Sequence, residues 1–401
     1  MRARILGVLA AGVCLAACGG SDNANIGGSN DGGDAGSGDD SNGDDNGGGG
    51  DSGDAAKGND AGGGDSGMDA QVACDGGLTS CGGQCVDLKT DKNNCGGCGV
   101  DCSGGTCAGG VCGLVNGGDG GVPAVGDFSC MGIDNTNVYV ATGRLAANGG
   151  QVYKVPLSGG PPQTLVANQA QPHGIGSDGT NVFWADFGSG DIMKSDTNGG
   201  NAAAIVMGQS SPFNLVVDAN HVYWNNSGDG TVWQADKNGG NQVKLGGGLT
   251  PQHLGYLAVD SKNVYYTDLL GGVVYGAPIG GGSPAKQLAT GQNRPVGIAV
   301  DSTDLFWSNA NGSTIAQETL GKSTVTNIVM NTMSPNAMAT DGTSIYWSEA
   351  MLNGAIKKAT TTGGNVTSLA TSQNIPTCIA IDATSIYWIQ AQGGMISKTA
   401  R

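Results

Sequence analysis

Apolar and polar positions change character twice along this chain. Ile5 to Ala17 is an almost unbroken apolar run. Residues 19–73 then offer little beyond Ile26, Met68, Val72 and scattered alanines. From residue 113 onward the pattern becomes regular. Short runs of alternating or small apolar residues are separated by Asp, Asn and Gly, the turn-forming residues. Such runs predict short β-strands and disfavour helices.

The regularity is a repeat. Asp134, Asp178, Asp218, Asp260, Asp301, Asp341 and Asp382 recur at intervals of 40 to 44 residues. Five residues after each stands an aromatic: Tyr139, Phe183, Tyr223, Tyr265, Phe306, Tyr346 and Tyr387. In every repeat but the first, a second aromatic follows at once: Trp184, Trp224, Tyr266, Trp307, Trp347 and Trp388. Each unit reads as four strands; in the fifth they cover 296–300, 304–308, 314–317 and 326–330. Gly pairs such as Gly199-Gly200 and Gly239-Gly240 turn the third strand into the fourth, because glycine reaches the positive φ of a tight hairpin. Four-stranded units of this length, repeated about an axis, describe an all-β β-propeller. Counting predicts seven blades, with a six-bladed ring as the alternative. The aromatic pairs are expected to pack between blades, and the repeated Asp to form turns.

The seventh unit ends without a fourth strand, so the ring needs a closure. Residues 114–125 are one candidate for that strand. A covalent closure is the other. Cys130 and Cys378 are the only cysteines of 113–401, and each lies four residues before its repeat's Asp. Blades one and seven are neighbours in a closed ring, so a Cys130–Cys378 disulfide is expected.

Composition divides the chain further. Glycine supplies 76 of 401 residues, and the only glutamates are Glu318 and Glu349. Glycine has no triplet period and only one apolar run exists, which excludes a collagen and a multi-pass membrane protein. The net charge of −16 argues against a nucleic-acid partner, whose binding rests on neutralising phosphate. All 20 aromatic residues lie beyond Val125, so the core must be built there. Residues 19–73 hold 19 Gly and 12 Asp, too little apolar surface to offset the entropy of ordering, and read as a disordered tether.

Two stretches before the repeats carry chemistry. Residues 1–18 have Arg2 and Arg4, the apolar run, then Leu15-Ala16-Ala17-Cys18. The run is too short to span a bilayer and reads as a signal peptide. Its end resembles the lipobox of bacterial lipoprotein signal peptides. That resemblance implies lipidation at Cys18 and a membrane held through acyl chains. With Gly19 rather than Asp following, it further implies the cell envelope and the outer membrane. Residues 74–112 hold Cys74, Cys81, Cys85, Cys95, Cys98, Cys102, Cys107 and Cys112. Eight cysteines in an exported segment without aromatics read as a disulfide framework whose pairing spacing alone leaves open. Zinc at Cys95-Gly96-Gly97-Cys98 is disfavoured, since no histidine lies in the segment. The spacing from Cys81 through Cys102 resembles the stigma-specific protein domain. It departs at the end, where Cys107 stands alone before Cys112.

The repeats resemble two propeller classes. Tyr265-Tyr266-Thr267-Asp268 is similar to the Tyr-Trp-Thr-Asp signature. Pro172-His173-Gly174-Ile175 and Pro295-Val296-Gly297-Ile298-Ala299 are similar to streptogramin-lyase-like repeats. The second resemblance implies His and Glu acting with magnesium. The histidines are His173, His221 and His253, and they form no dense cluster with Glu318 or Glu349 along the sequence. No catalytic residue, metal ligand or cofactor is therefore assigned. The expected function is a lipid-anchored propeller that binds or scaffolds a protein or glycan. An exported metal-dependent lyase is the alternative.

Overall fold

In a computed structural model of the chain, residues 74–102, 106–115, 128–143 and 149–401 are described, with backbone alone at 115 and 128–130. Cys18 and the segments expected to form a signal peptide and a tether, residues 1–18 and 19–73, lie outside the described residues. No helix occurs among those described. Seven antiparallel sheets follow the seven repeats, so the protein is a seven-bladed β-propeller. We number the blades I to VII in chain order.

The innermost strands are Phe128–Ile133, Pro172–Ser177, Pro212–Val217, Leu254–Val259, Pro295–Val300, Pro335–Thr340 and Pro376–Ile381. In every blade but VII the chain then meanders outward through three more strands. Inner strands of adjacent blades approach closely, which explains their small residues. A Cβ at Gly174 would strike the backbone of Asn214 and Leu215 in the next blade.

The aromatic pairs sit in each second strand, and the two members point to opposite faces because side chains alternate along a strand. Trp184, Trp224, Trp307, Trp347 and Trp388 are fully buried, as are Tyr139, Phe183 and Tyr223. Phe183 of blade II packs with Leu215 and Trp224 of blade III, as expected for packing between blades. Emptying one such Trp site to Ala would cost about 3–5 kcal/mol.

The closing strand lies a few residues earlier than expected. Val111–Val115, not a strand within 114–125, pairs with Met395–Ala400 and completes blade VII. Thr106–Ala108 adds a fifth strand outside it. The expected boundary at residue 112 therefore runs through a strand that the cysteine module and the propeller share. The module holds four disulfides: Cys74–Cys85, Cys81–Cys98, Cys95–Cys107 and Cys102–Cys112. Thr399 Oγ1 donates to Gly110 O at 2.9 Å, fastening the module to the last blade. Lys398 Nζ reaches Leu157 O of blade I at 2.6 Å and bonds the two ends of the ring. Cys378 is buried in the inner strand of blade VII, beside the inner strand that carries Cys130 in blade I. The Cys130 side chain lies outside the described residues.

Candidate functional site

The repeated Asp is a turn former. In each repeat one carboxylate oxygen accepts the amides two and three residues ahead, as Asp382 Oδ1 does from Thr384 and Ser385 at 2.7 Å each. Where the aromatic five residues on is Tyr, its hydroxyl donates to the other oxygen, as in Tyr223–Asp218 and Tyr387–Asp382 at 2.7 Å. Burial, helped by the Asp charge, raises the pKa of those tyrosines, Tyr346 to about 12. Phe183 leaves Asp178 without that donor, and Lys237 of blade III takes the place at 2.9 Å.

At the opposite end of each second strand lies a ring of polar residues that the sequence reading passed over. They are Thr142, Asp186, Asn226, Asp268, Asn309, Glu349 and Gln390, eight residues after each repeated Asp, and all are buried. Most tie down the loop that enters their own blade. Asp268 Oδ2 accepts the Thr250 amide at 2.9 Å. Glu349 Oε1 accepts the Thr332 hydroxyl and the Met333 amide at 2.8 and 2.9 Å, and pairs with Lys357 Nζ at 2.8 Å. The tryptophans secure the same loops: Trp184, Trp224, Trp307 and Trp388 each donate Nε1–H to a Gln fifteen residues earlier. A polar residue at a fixed offset was the signal available in the sequence.

The histidines are dispersed. His173 is buried in the inner strand of blade II, its ring 4.6 Å from Phe213 and 5.2 Å from Phe187. His253 precedes the inner strand of blade IV, its Nδ1 3.0 Å from Pro251 O. His221 lies near the opposite face, 3.7 Å from both Asp218 and Asp236. Of the two glutamates, Glu349 is held as above and Glu318 lies in a third strand, far out in its blade. Among the described residues the only cluster of three metal-ligand atoms is Cys95, Cys102 and Cys112, and all three sulfurs are in disulfides.

One side chain bridges inner strands that are not neighbours. Tyr256 of blade IV is fully buried and donates its hydroxyl to Asn336 Oδ1 of blade VI at 2.8 Å, passing the inner strand of blade V. Cavities open in the wall, one of about 500 Å³ between blades III and IV. A cavity of about 720 Å³ opens between blades IV and V, bordered by Asp260, Tyr265, Gly276, Lys286, Glu318 and Leu320. A groove of about 380 Å³ runs where the cysteine module meets blade VI.

No protein-family profile matches this chain, and no curated protein matches it. Its fold does match solved propellers. A virginiamycin B lyase from Staphylococcus aureus superposes with a TM-score of 0.59 at 14% identity, over 73% of this chain and 99% of the lyase. A streptogramin B lyase gives 0.58 at 15% identity, over 70% and 95%. The computationally designed Ika8 protein gives 0.52 at 15% identity, over 68% and 83%. At these identities the likeness is one of fold, so the streptogramin-lyase-like resemblance of the repeats is matched in architecture.

Proposed function

We propose that this chain is a cell-envelope lipoprotein, anchored through Cys18, that displays its propeller to bind or scaffold a protein or glycan. The observation that carries the binding reading is the use made of the polar ring. Asp268 and Glu349 are engaged in holding loops, and His173 is wedged between two phenylalanines. Such groups are fixed in place by their partners and suit a rigid display surface. Leu15-Ala16-Ala17-Cys18 supports the anchor, and residues 19–73 supply a spacer. A Gly-rich coil of that length has an rms span of roughly 40 Å. The cysteine module, with its stigma-specific-like spacing, is a stapled unit between spacer and ring. Labelling cells with radioactive palmitate tests the anchor: label is expected on the chain and lost in Cys18→Ser. Crosslinking on intact cells, read by mass spectrometry, tests the binding role. One recurrent envelope partner is expected, and none would count against it.

The fold likeness to virginiamycin B lyases favours a second reading, an exported metal-dependent lyase. Incubation with quinupristin and magnesium separates the two. Unchanged quinupristin supports the binding reading, whereas ring opening that is lost in His173→Ala would replace it.

A further inference from the structure

The seven repeats serve as controls for one another, and one seam departs from the rest twice. In each third strand, the residue paired with the first aromatic points towards the next blade. These residues are Lys154, Lys194, Gln234, Gly276, Gln317, Lys358 and Lys398. Lys154, Lys194 and Lys398 each carry their ammonium to one equivalent carbonyl of the next blade: Thr197 O at 3.0 Å, Lys237 O at 3.3 Å and Leu157 O at 2.6 Å. Gln234 accepts the Gly280 amide of the next blade at 2.8 Å. Blade IV alone has glycine here, and nothing reaches across from Gly276.

The facing position of blade V departs in the complementary sense. The third-strand residue there is Val155, Ser195, Ala235, Ala277, Ala359 or Thr399 in the other blades, and Glu318 in blade V. Glu318 is 2% exposed, and its Oε2 is buried without a hydrogen-bond partner. A buried carboxylate oxygen without a donor is costly, and burial raises the Glu318 pKa. Both departures border the cavity of about 720 Å³, as does Leu320, whose carbonyl is the equivalent of Thr197 O, Lys237 O and Leu157 O. The exposed Lys286, paired with Gly276 across the sheet, reaches from the rim to blade V with its ammonium 3.5 Å from Ser323 Oγ, and its charge acts on Glu318 against the effect of burial without bonding Oε2.

We propose that the seam between blades IV and V is a binding site for a primary alkylammonium group, either a free amine or the side chain of a lysine. The ligand takes the place that lysine fills in three sibling seams. Its ammonium would donate to Glu318 Oε2 and to the Leu320 carbonyl, while its alkyl stem runs over Gly276 and along the Tyr265 ring. An ammonium suits this site better than a hard metal ion, because the wall supplies Leu288, Pro278 and an aromatic face as well as oxygens. The inference goes beyond the display reading and does not depend on the anchor, since the site belongs to the propeller wall.

Calorimetric titration of the intact chain with n-butylamine at neutral pH is the test. One binding site is expected, with no binding of tetramethylammonium, which has no N–H to donate. Glu318→Gln is expected to weaken binding about tenfold, the loss typical of one charge-assisted hydrogen bond. Gly276→Lys should abolish it by supplying the missing lysine internally. The atoms nearest to a Cβ there are side-chain atoms, Leu288 Cδ1 at 3.0 Å and the Tyr265 ring at 3.3 Å, so this variant should fold even where Glu318→Gln does not. Gln317→Ala, in the next seam, should leave binding unchanged. Tighter binding of cadaverine, or of N-acetyl-lysine methylamide, assigns the source as a free amine or a protein side chain, and either supports the site. Absence of n-butylamine binding would overturn the proposal, and so would unchanged affinity in Gly276→Lys.

Discussion

Two seams of this ring share a backbone plan and end in opposite states. Between blades VII and I, Lys398 crosses to Leu157 O, and a strand from the cysteine module completes the sheet beside it. Between blades IV and V, the residue equivalent to Lys398 is Gly276, and a cavity opens in front of Glu318. The third-strand side chain is one difference between these two seams. The sealed seam joins parts of the chain 241 residues apart, where loop closure is costly and extra bonds matter most. The open seam joins consecutive blades already held by covalent connection and by the packing of the buried Tyr265. Specialisation has room where closure does not depend on it.

Four expectations follow from that contrast. The largest effect concerns the proposed Cys130–Cys378 bridge, which would close a very long loop at the sealed seam. Chain-entropy reasoning gives it on the order of 5 kcal/mol. The folded, non-reduced chain should therefore show no titratable thiol beyond Cys14 and Cys18, and Cys378→Ser should lower the denaturant midpoint markedly. A reactive thiol at Cys378 in the folded state would break this half of the comparison. Next, Lys398→Ala leaves Leu157 O without its donor and empties a buried site. It should cost about 2–4 kcal/mol by chemical denaturation. Lys154→Ala, at the more exposed seam between blades I and II, should cost about 1 kcal/mol. Equal costs would mean that ring closure places no special demand on Lys398.

Smaller effects test what all blades share. Trp388→Phe keeps the ring in the core but strands Gln373 Oε1, 3.0 Å from the lost donor, and should cost about 1–2 kcal/mol. The turn carboxylates set acid stability. Burial acts against the charge of Asp341, yet donors from Thr343, Ser344 and Tyr346 hold its pKa down, at about 2. Asp382 is lowered in the same way. Their unfolded values lie near 3.9. The contribution of Asp341 is therefore complete above about pH 4 and is lost as pH falls through about 2, and that of Asp382 is lost in the same direction. Thermal melts across that range should show a steep fall, shallower in Asp382→Asn.

Much of the ring was legible in the sequence because each blade solves the same packing problem with the same residues. Asp, Tyr or Phe, and Trp recur at fixed offsets, since the turn, its hydroxyl donor and the interblade core need them there. The closing strand was less legible. Val111 to Val115 sits among cysteines, and Cys112 reads first as a disulfide partner, so its second role in a sheet is masked. The seam cavity was illegible for a different reason. The third-strand position lies between 16 and 20 residues after the repeated Asp, because the preceding loop varies in length. Only strand register aligns Gly276 with Lys154 and Lys398. That Glu318 faces Gly276 needs the curvature of the ring, which brings residues of separate blades to one seam.

The comparison rests most directly on a crystal structure of Gly276→Lys. The introduced ammonium is expected within hydrogen-bonding distance of Leu320 O and Glu318 Oε2, filling the seam as Lys398 fills its own. A side chain turned out to solvent, with the cavity before Glu318 still open, would contradict it.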